Sequence, residues 1–93
     1  MKVKYGVDDP VIDEDGNKIW LNEYCLLHRL DGPAVERTDG YKAWYVNGGR
    51  HRLDGPAIEF AEGGKHWYIE GKKYTEEEFL SYTALLRFIK KET

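Results

Sequence analysis

The segment His-Arg-Leu-Asp-Gly-Pro-Ala occurs twice, from His28 and from His51, and a tryptophan-tyrosine pair follows each copy, at Trp44-Tyr45 and Trp67-Tyr68. Both features recur at the same interval of 23 residues. A fixed period of this size constrains the fold more than any local propensity, because one such unit cannot bury its own apolar face and must stack on its neighbours. Residues that return once per unit are therefore expected to build the stack before they do anything else.

Carrying the register backwards gives an imperfect first unit. Pro10 lies 23 residues before Pro33 and Val11-Ile12 echoes Ala34-Val35, whereas Asp15 to Trp20 echoes Asp39 to Trp44 at an interval of 24. Tyr5 and Gly6 stand where the later units carry histidine and arginine. Terminal units face water on one side, so a degraded copy is what an end cap requires. The expected units are 5–27, 28–50 and 51–73, within a single domain over 1–93.

Composition narrows the class. Ninety-three residues supply a modest core, and a formal net charge of −3 without a basic stripe argues against a dedicated nucleic-acid binder. One cysteine, Cys25, excludes an internal disulfide framework. Neither a secretory leader pattern nor an apolar run of membrane-spanning length is present, so the expected compartment is the cytoplasm, with no membrane span. Aromatic residues make up 14% of the chain and gather at repeat positions, where they are expected to form the core.

Each unit reads as an antiparallel β-hairpin or meander. Pro33 to Arg37 is a short strand, Asp39-Gly40 signals a turn, and Tyr41 to Asn47 alternates as a half-buried strand does. Alternation puts Lys42, Trp44 and Val46 on one face and Tyr41, Ala43, Tyr45 and Asn47 on the other. Gly48-Gly49 and Gly71 are expected to turn the chain next. Asp31-Gly32-Pro33 and Asp54-Gly55-Pro56 turn it again, with each proline at the first position of a strand.

With Trp44, Gly48, Arg50 and His51, and again Trp67, Gly71 and Lys72, the chain resembles the MORN repeat family, over about residues 5–74. It departs from the usual pattern at Arg52-Leu53-Asp54-Gly55-Pro56, where that family carries glycine-x-glycine, and is more similar to the HRxDGPA variant in small bacteriophage and bacterial proteins. The resemblance implies 23-residue hairpin units that scaffold protein assembly, and a phage or bacterial accessory protein that engages a host protein.

The C-terminal part reads as an amphipathic capping helix over about 75–91. Thr75 with Glu78 makes a capping box, Glu76 and Glu77 place negative charge in the first turn, and Lys90-Lys91 place positive charge near the last. Phe79, Tyr82, Leu85, Leu86 and Ile89 form a stripe expected to close the stack. Leu80, Ala84 and Phe88 lie on another side, in an i, i+4, i+8 line that is expected to be tucked under a loop or singly exposed, with self-association or a partner groove as the alternative. The expected fold class is thus mainly β: three MORN-like hairpin repeats capped by a C-terminal α-helix.

The residues with chemistry to offer are those of the repeat. Arg29 with Asp31 and Arg52 with Asp54 place opposite charges beside a turn. The structural reading has each aspartate cap its turn and each arginine pair with a carboxylate. The functional reading stacks His28, Arg29, His51 and Arg52 into a ladder that grips a phosphate or an acidic segment. Cys25 and His28 have the spacing of a ligand pair, but no second pair follows, so neither a metal nor another cofactor is expected. No activated nucleophile is evident, and the chain is not expected to be an enzyme.

Three functions fit these observations. The favoured one is a non-enzymatic protein-binding module that uses the Tyr45/Tyr68 face, an edge strand, or Leu80 and Phe88 of the helix. The second sequesters a nucleotide or similar anion, with Arg29 and Arg52 on phosphate. The third is a structural homo-oligomer joined through an edge strand or the helix.

Overall fold

The computed structural model describes residues 9–92. Tyr5 and Gly6, where the first unit was expected to begin, and the side chains of Lys90 and Lys91 lie outside that description. The chain is mainly β. Nine short strands run β1 (Val11–Ile12), β2 (Lys18–Ile19), β3 (Val35–Glu36), β4 (Lys42–Ala43), β5 (Tyr45–Val46), β6 (Gly49–Arg50), β7 (Ile58–Glu59), β8 (Lys65–Ile69) and β9 (Lys72–Tyr74), followed by helix α1 (Glu76–Glu92). Seven of them form one antiparallel meander in the order β1-β2-β3-β4-β7-β8-β9, and β5 pairs with β6.

Two turns per unit generate this path. In the first, Arg37 N–H bonds Tyr41 O at 2.9 Å and Gly40 N–H bonds Arg37 O at 3.0 Å, with Gly40 at φ +99°. The same pair of bonds closes Asp13–Asn17 and Phe60–Gly64. In the second turn, Asn47 and Gly48 have φ 49° and 87°, and Glu70 and Gly71 have 50° and 84°. Two consecutive positive φ values make a type I′ hairpin turn. Asn47 is therefore a turn residue and not the end of a strand face, and Gly49 is the first residue of β6.

The expected unbroken strand from Tyr41 to Asn47 is interrupted at Trp44. Trp44 N–H donates to Ala57 O of the following unit at 2.7 Å, whereas its carbonyl accepts from His51 N–H of its own hairpin at 3.1 Å. One residue thus hands the chain from the meander to the β5–β6 ribbon. Trp20 does the same, donating to Ala34 O at 2.8 Å and accepting from His28 at 3.0 Å.

The first unit keeps a 24-residue offset further than its proline suggests. Val11 pairs with Ile19 as Val35 pairs with Ala43, so Val11 is the counterpart of Val35, and Pro10 that of Ala34. The additional residue is absorbed after Trp20, in the loop inside the Leu21–Leu27 bridge. There Asn22 Oδ1 accepts from the Tyr24 and Leu26 amides, and Cys25 takes φ 64°. Cys25 is exposed rather than a core residue.

The core departs from the aromatic one expected. Ala34, Ala43 and Ala57 are wholly buried, joined by Trp20, Ile58, Ile69 and Phe79, while Trp44 and Trp67 are half-buried. The three alanines flank the tryptophan junctions: Ala34 and Ala57 give their carbonyls to the Trp20 and Trp44 amides, and Ala43 precedes Trp44. With extents of 43 × 37 × 18 Å the body is a slab, thin enough that Trp44 and Trp67 stay partly wet on its faces.

Helix α1 begins with the expected capping box: Glu78 N–H donates to Thr75 Oγ1 at 3.1 Å, and Thr75 N–H donates to Glu78 Oε1 at 2.9 Å. Its packing face is narrower than the expected stripe. Phe79 and Thr83 are buried and Leu86 is half-buried, but Tyr82, Leu85 and Ile89 are exposed. Thr83 fits this seam because its hydroxyl donates to Phe79 O at 2.9 Å, so no polar group is buried unpaired.

Candidate functional site

The two HRLDGPA segments fold identically. Arg29 Nε donates to Asp31 Oδ1 at 3.0 Å, and its Nη1 donates to Pro33 O at 3.1 Å and Glu36 Oε2 at 3.3 Å. Arg52 repeats this with Asp54 at 2.8 Å, Pro56 O at 3.0 Å and Glu59 at 3.1 Å. Each guanidinium also lies 3.8 Å from the ring centroid of the preceding unit's tryptophan, Arg29 over Trp20 and Arg52 over Trp44. The planar fork is thus saturated along one edge by its own loop and stacked on one face. Asp31 and Asp54 remain outside, with side chains 87% and 86% exposed.

The histidines brace turns. His28 Nδ1 accepts from Asn47 N–H, and His51 Nδ1 accepts from Glu70 N–H, each at 2.9 Å and 19 residues ahead. Both donors are the first central residue of a type I′ turn, so each imidazole holds the tip of the next hairpin. An Nδ1 that accepts must be unprotonated, leaving the ring proton on Nε2.

The two loops bring Arg29, Asp31, His51, Arg52 and Asp54 around one groove of about 700 Å³, with Trp44 and Val46 in its wall. Leu30 and Leu53 rise at its sides, 81% and 44% exposed, and sequence reasoning had passed over both. Their signal was the exact recurrence of an apolar residue inside a polar turn. Because both arginines already face carboxylates, the groove offers mixed charge rather than a positive cradle.

Tyr45 and Tyr68 are half-buried and share a neighbourhood with Arg50, whose guanidinium lies 5.1 Å from the Tyr68 ring centroid. The Tyr45 phenol beside Arg50 raises its pKa further. Tyr41 packs against Phe60 at 5.4 Å between centroids, and burial pushes its phenol above the usual tyrosine value. Leu80 and Phe88 are 56% and 60% exposed on the helix, apart from the groove.

No group of three or more histidine, cysteine, aspartate or glutamate side chains among the described residues is placed to hold a metal ion. Among the same residues, no helix is long and apolar enough to cross a membrane. The chain matches no protein-family model, no curated protein sequence and no solved structure.

Proposed function

We propose that this protein is a non-enzymatic binding module for another protein, with helix α1 as its contact face. One observation carries the reading. The helix buries Phe79 and Thr83 against the sheet but leaves Leu80, Tyr82, Leu85, Phe88 and Ile89 between 39% and 60% exposed. Five large apolar side chains on one helix exceed the scattered exposure of a monomer's surface, and an apolar groove on a partner protein would cover them. The resemblance to scaffolding repeats and to phage accessory proteins points the same way. Anion sequestration has less support, because Arg29 and Arg52 are already engaged by Glu36 and Glu59 and by backbone carbonyls.

The test pairs Leu80→Glu with Phe88→Glu. Both side chains point away from the sheet, so thermal stability should stay within about 0.5 kcal/mol of wild type, as for surface positions. Capture of a defined partner from cells that express the protein should be lost. Unfolding of the double variant, or undiminished capture, removes the helix from the reading. Native mass spectrometry separates the homo-oligomer: bare multiples of the chain that disperse in the double variant would assign the same face to self-association.

A further inference from the structure

The seven-stranded sheet has a place for one more strand. In the first two units, the strand before the tryptophan is paired on both sides: β2 lies between β1 and β3, and β4 lies between β3 and β7. In the third unit, Lys65 and His66 of β8 pair with Glu59 and Ile58 of β7, and β9 joins only from Trp67 onward. Among the described residues no strand flanks Lys65 and His66 on the other side. At Thr75 the chain passes from β9 into the helix, and a crevice of about 370 Å³ opens between its first turn and this edge, bordered by Lys65, His66, Trp67, Lys73, Thr75 and Glu78.

The chain itself displays, twice, what occupies the equivalent position. Val35 and Glu36 pair with Ile19 and Lys18, and Ile58 and Glu59 pair with Ala43 and Lys42. The alanine before each strand gives its carbonyl to the tryptophan amide, and the arginine of the same segment stacks on the tryptophan ring. Among the described residues, no segment supplies that carbonyl and that arginine to Trp67. Carried to the third unit, the register sets a β-branched residue opposite His66 and a carboxylate opposite Lys65. The crevice has matching charge, with Lys65 and Lys73 for the carboxylate and Trp67 beside Glu78 for a cation.

From this we infer that the Lys65–Trp67 edge is a strand-addition site for an extended segment of a different polypeptide. The segment carries arginine, a short turn, then alanine, a β-branched residue and glutamate, and so mimics a fourth repeat. A second copy of the chain fits less well. Its two matching segments are interior strands already paired on both sides, and its first unit offers Ile12 where the glutamate is required. Edges of this kind are templates for pairing, and the change at Ile12 hinders the array from extending itself end to end. The site meets α1 at Glu78 in its first turn and includes neither Leu80 nor Phe88, so substitutions at those two positions test the helix reading without altering this edge.

The probe is a synthetic peptide with the sequence of residues His51 to Phe60, titrated into the isotopically labelled full chain and followed by amide and indole chemical shifts. Saturable changes centred on Lys65, His66 and Trp67 are expected. Peptides carrying Arg52→Ala or Glu59→Lys should bind at least about fivefold more weakly, from loss of the ring stack or reversal of the cross-strand charge. Because these changes are in the peptide, the protein's folding is not at issue. Absence of saturable shifts at these residues up to about 1 mM peptide, a regime of very weak binding, overturns the inference. Equal binding of the altered peptides, or shifts confined to α1, does the same. If sedimentation shows the chain alone forming a dilution-reversible dimer through these residues, the occupant is a second copy and the inference is wrong.

Discussion

Replacing Arg52 with alanine separates the bracing role of the repeated arginine from a ligand-binding one. The side chain is 20% exposed and stacks 3.8 Å from the Trp44 centroid, an interaction of roughly 0.5–2 kcal/mol for a largely desolvated pair. Its Nη1 donates to Pro56 O at 3.0 Å, and a bond from a charged donor contributes roughly 1.5–3 kcal/mol. Asp54, with its side chain 86% exposed, adds next to nothing, and the pair with Glu59, one-third exposed, is screened to under about 1 kcal/mol. These contributions overlap, so the expected loss is about 2–4 kcal/mol, out of the roughly 5–15 kcal/mol that holds a typical domain. At about 4–8 °C per kcal/mol for a chain of this size, the melting temperature should fall by at least about 8 °C. Urea unfolding followed by tryptophan fluorescence gives the free energy, and Asp54→Asn should cost under about 1 kcal/mol in the same assay. An Arg52→Ala variant within about 0.5 kcal/mol of wild type would refute the bracing argument and return Arg52 to the list of residues free for an anion. The double change Arg29→Ala with Arg52→Ala is correspondingly a poor test of ligand binding, because it should unfold much of the protein.

Two further outcomes test the turns. Gly48→Ala places a Cβ on a residue at φ +87°, a conformation that costs L-residues about 1–2 kcal/mol, and the loss should appear in urea unfolding without a change in secondary-structure content. The Asp39 carboxyl is held below its ordinary value chiefly by the Tyr41 amide, and the Asp13 carboxyl by the Asn17 side chain. A lowered folded-state pKa favours folding above the ordinary carboxylate range, and the contribution is lost as pH falls through the lowered value. The protection factor of the Tyr41 amide, its exchange rate relative to the intrinsic rate at each pH, should therefore fall on acidification, and Asp39→Asn should flatten that dependence. An unchanged acid response in Asp39→Asn would assign it to other groups.

The period, the Asp39-Gly40 turn and the capped helix were legible in the sequence because each is decided within a few residues: Asp-Gly favours positive φ at its glycine, and Thr75 with Glu78 satisfies the first amides of α1. The second turn was legible only one residue late, at Gly48-Gly49, because strand alternation runs through Asn47 without showing that Asn47 itself takes a positive φ. The repeat also made the arginines and histidines suspect as structural residues before any geometry was known. What stayed open was the partner of each. His51 reaches an amide 19 residues away and Arg52 a ring in the preceding unit, distances that only stacking makes short.

The sequence by itself determined the period of the units and, to within a residue, where each would turn, since backbone preference and spacing act locally. Only the tertiary structure decided that Ala34, Ala43 and Ala57 are wholly buried beside Trp20 and Phe79 while Trp44 and Trp67 stay half-buried, because burial depends on which neighbour covers each position. It also decided which face of α1 is buried. The seam Phe79, Thr83 and Leu86 depends on the angle at which the helix meets the last unit, and hydrophobic periodicity alone carries no information about that angle.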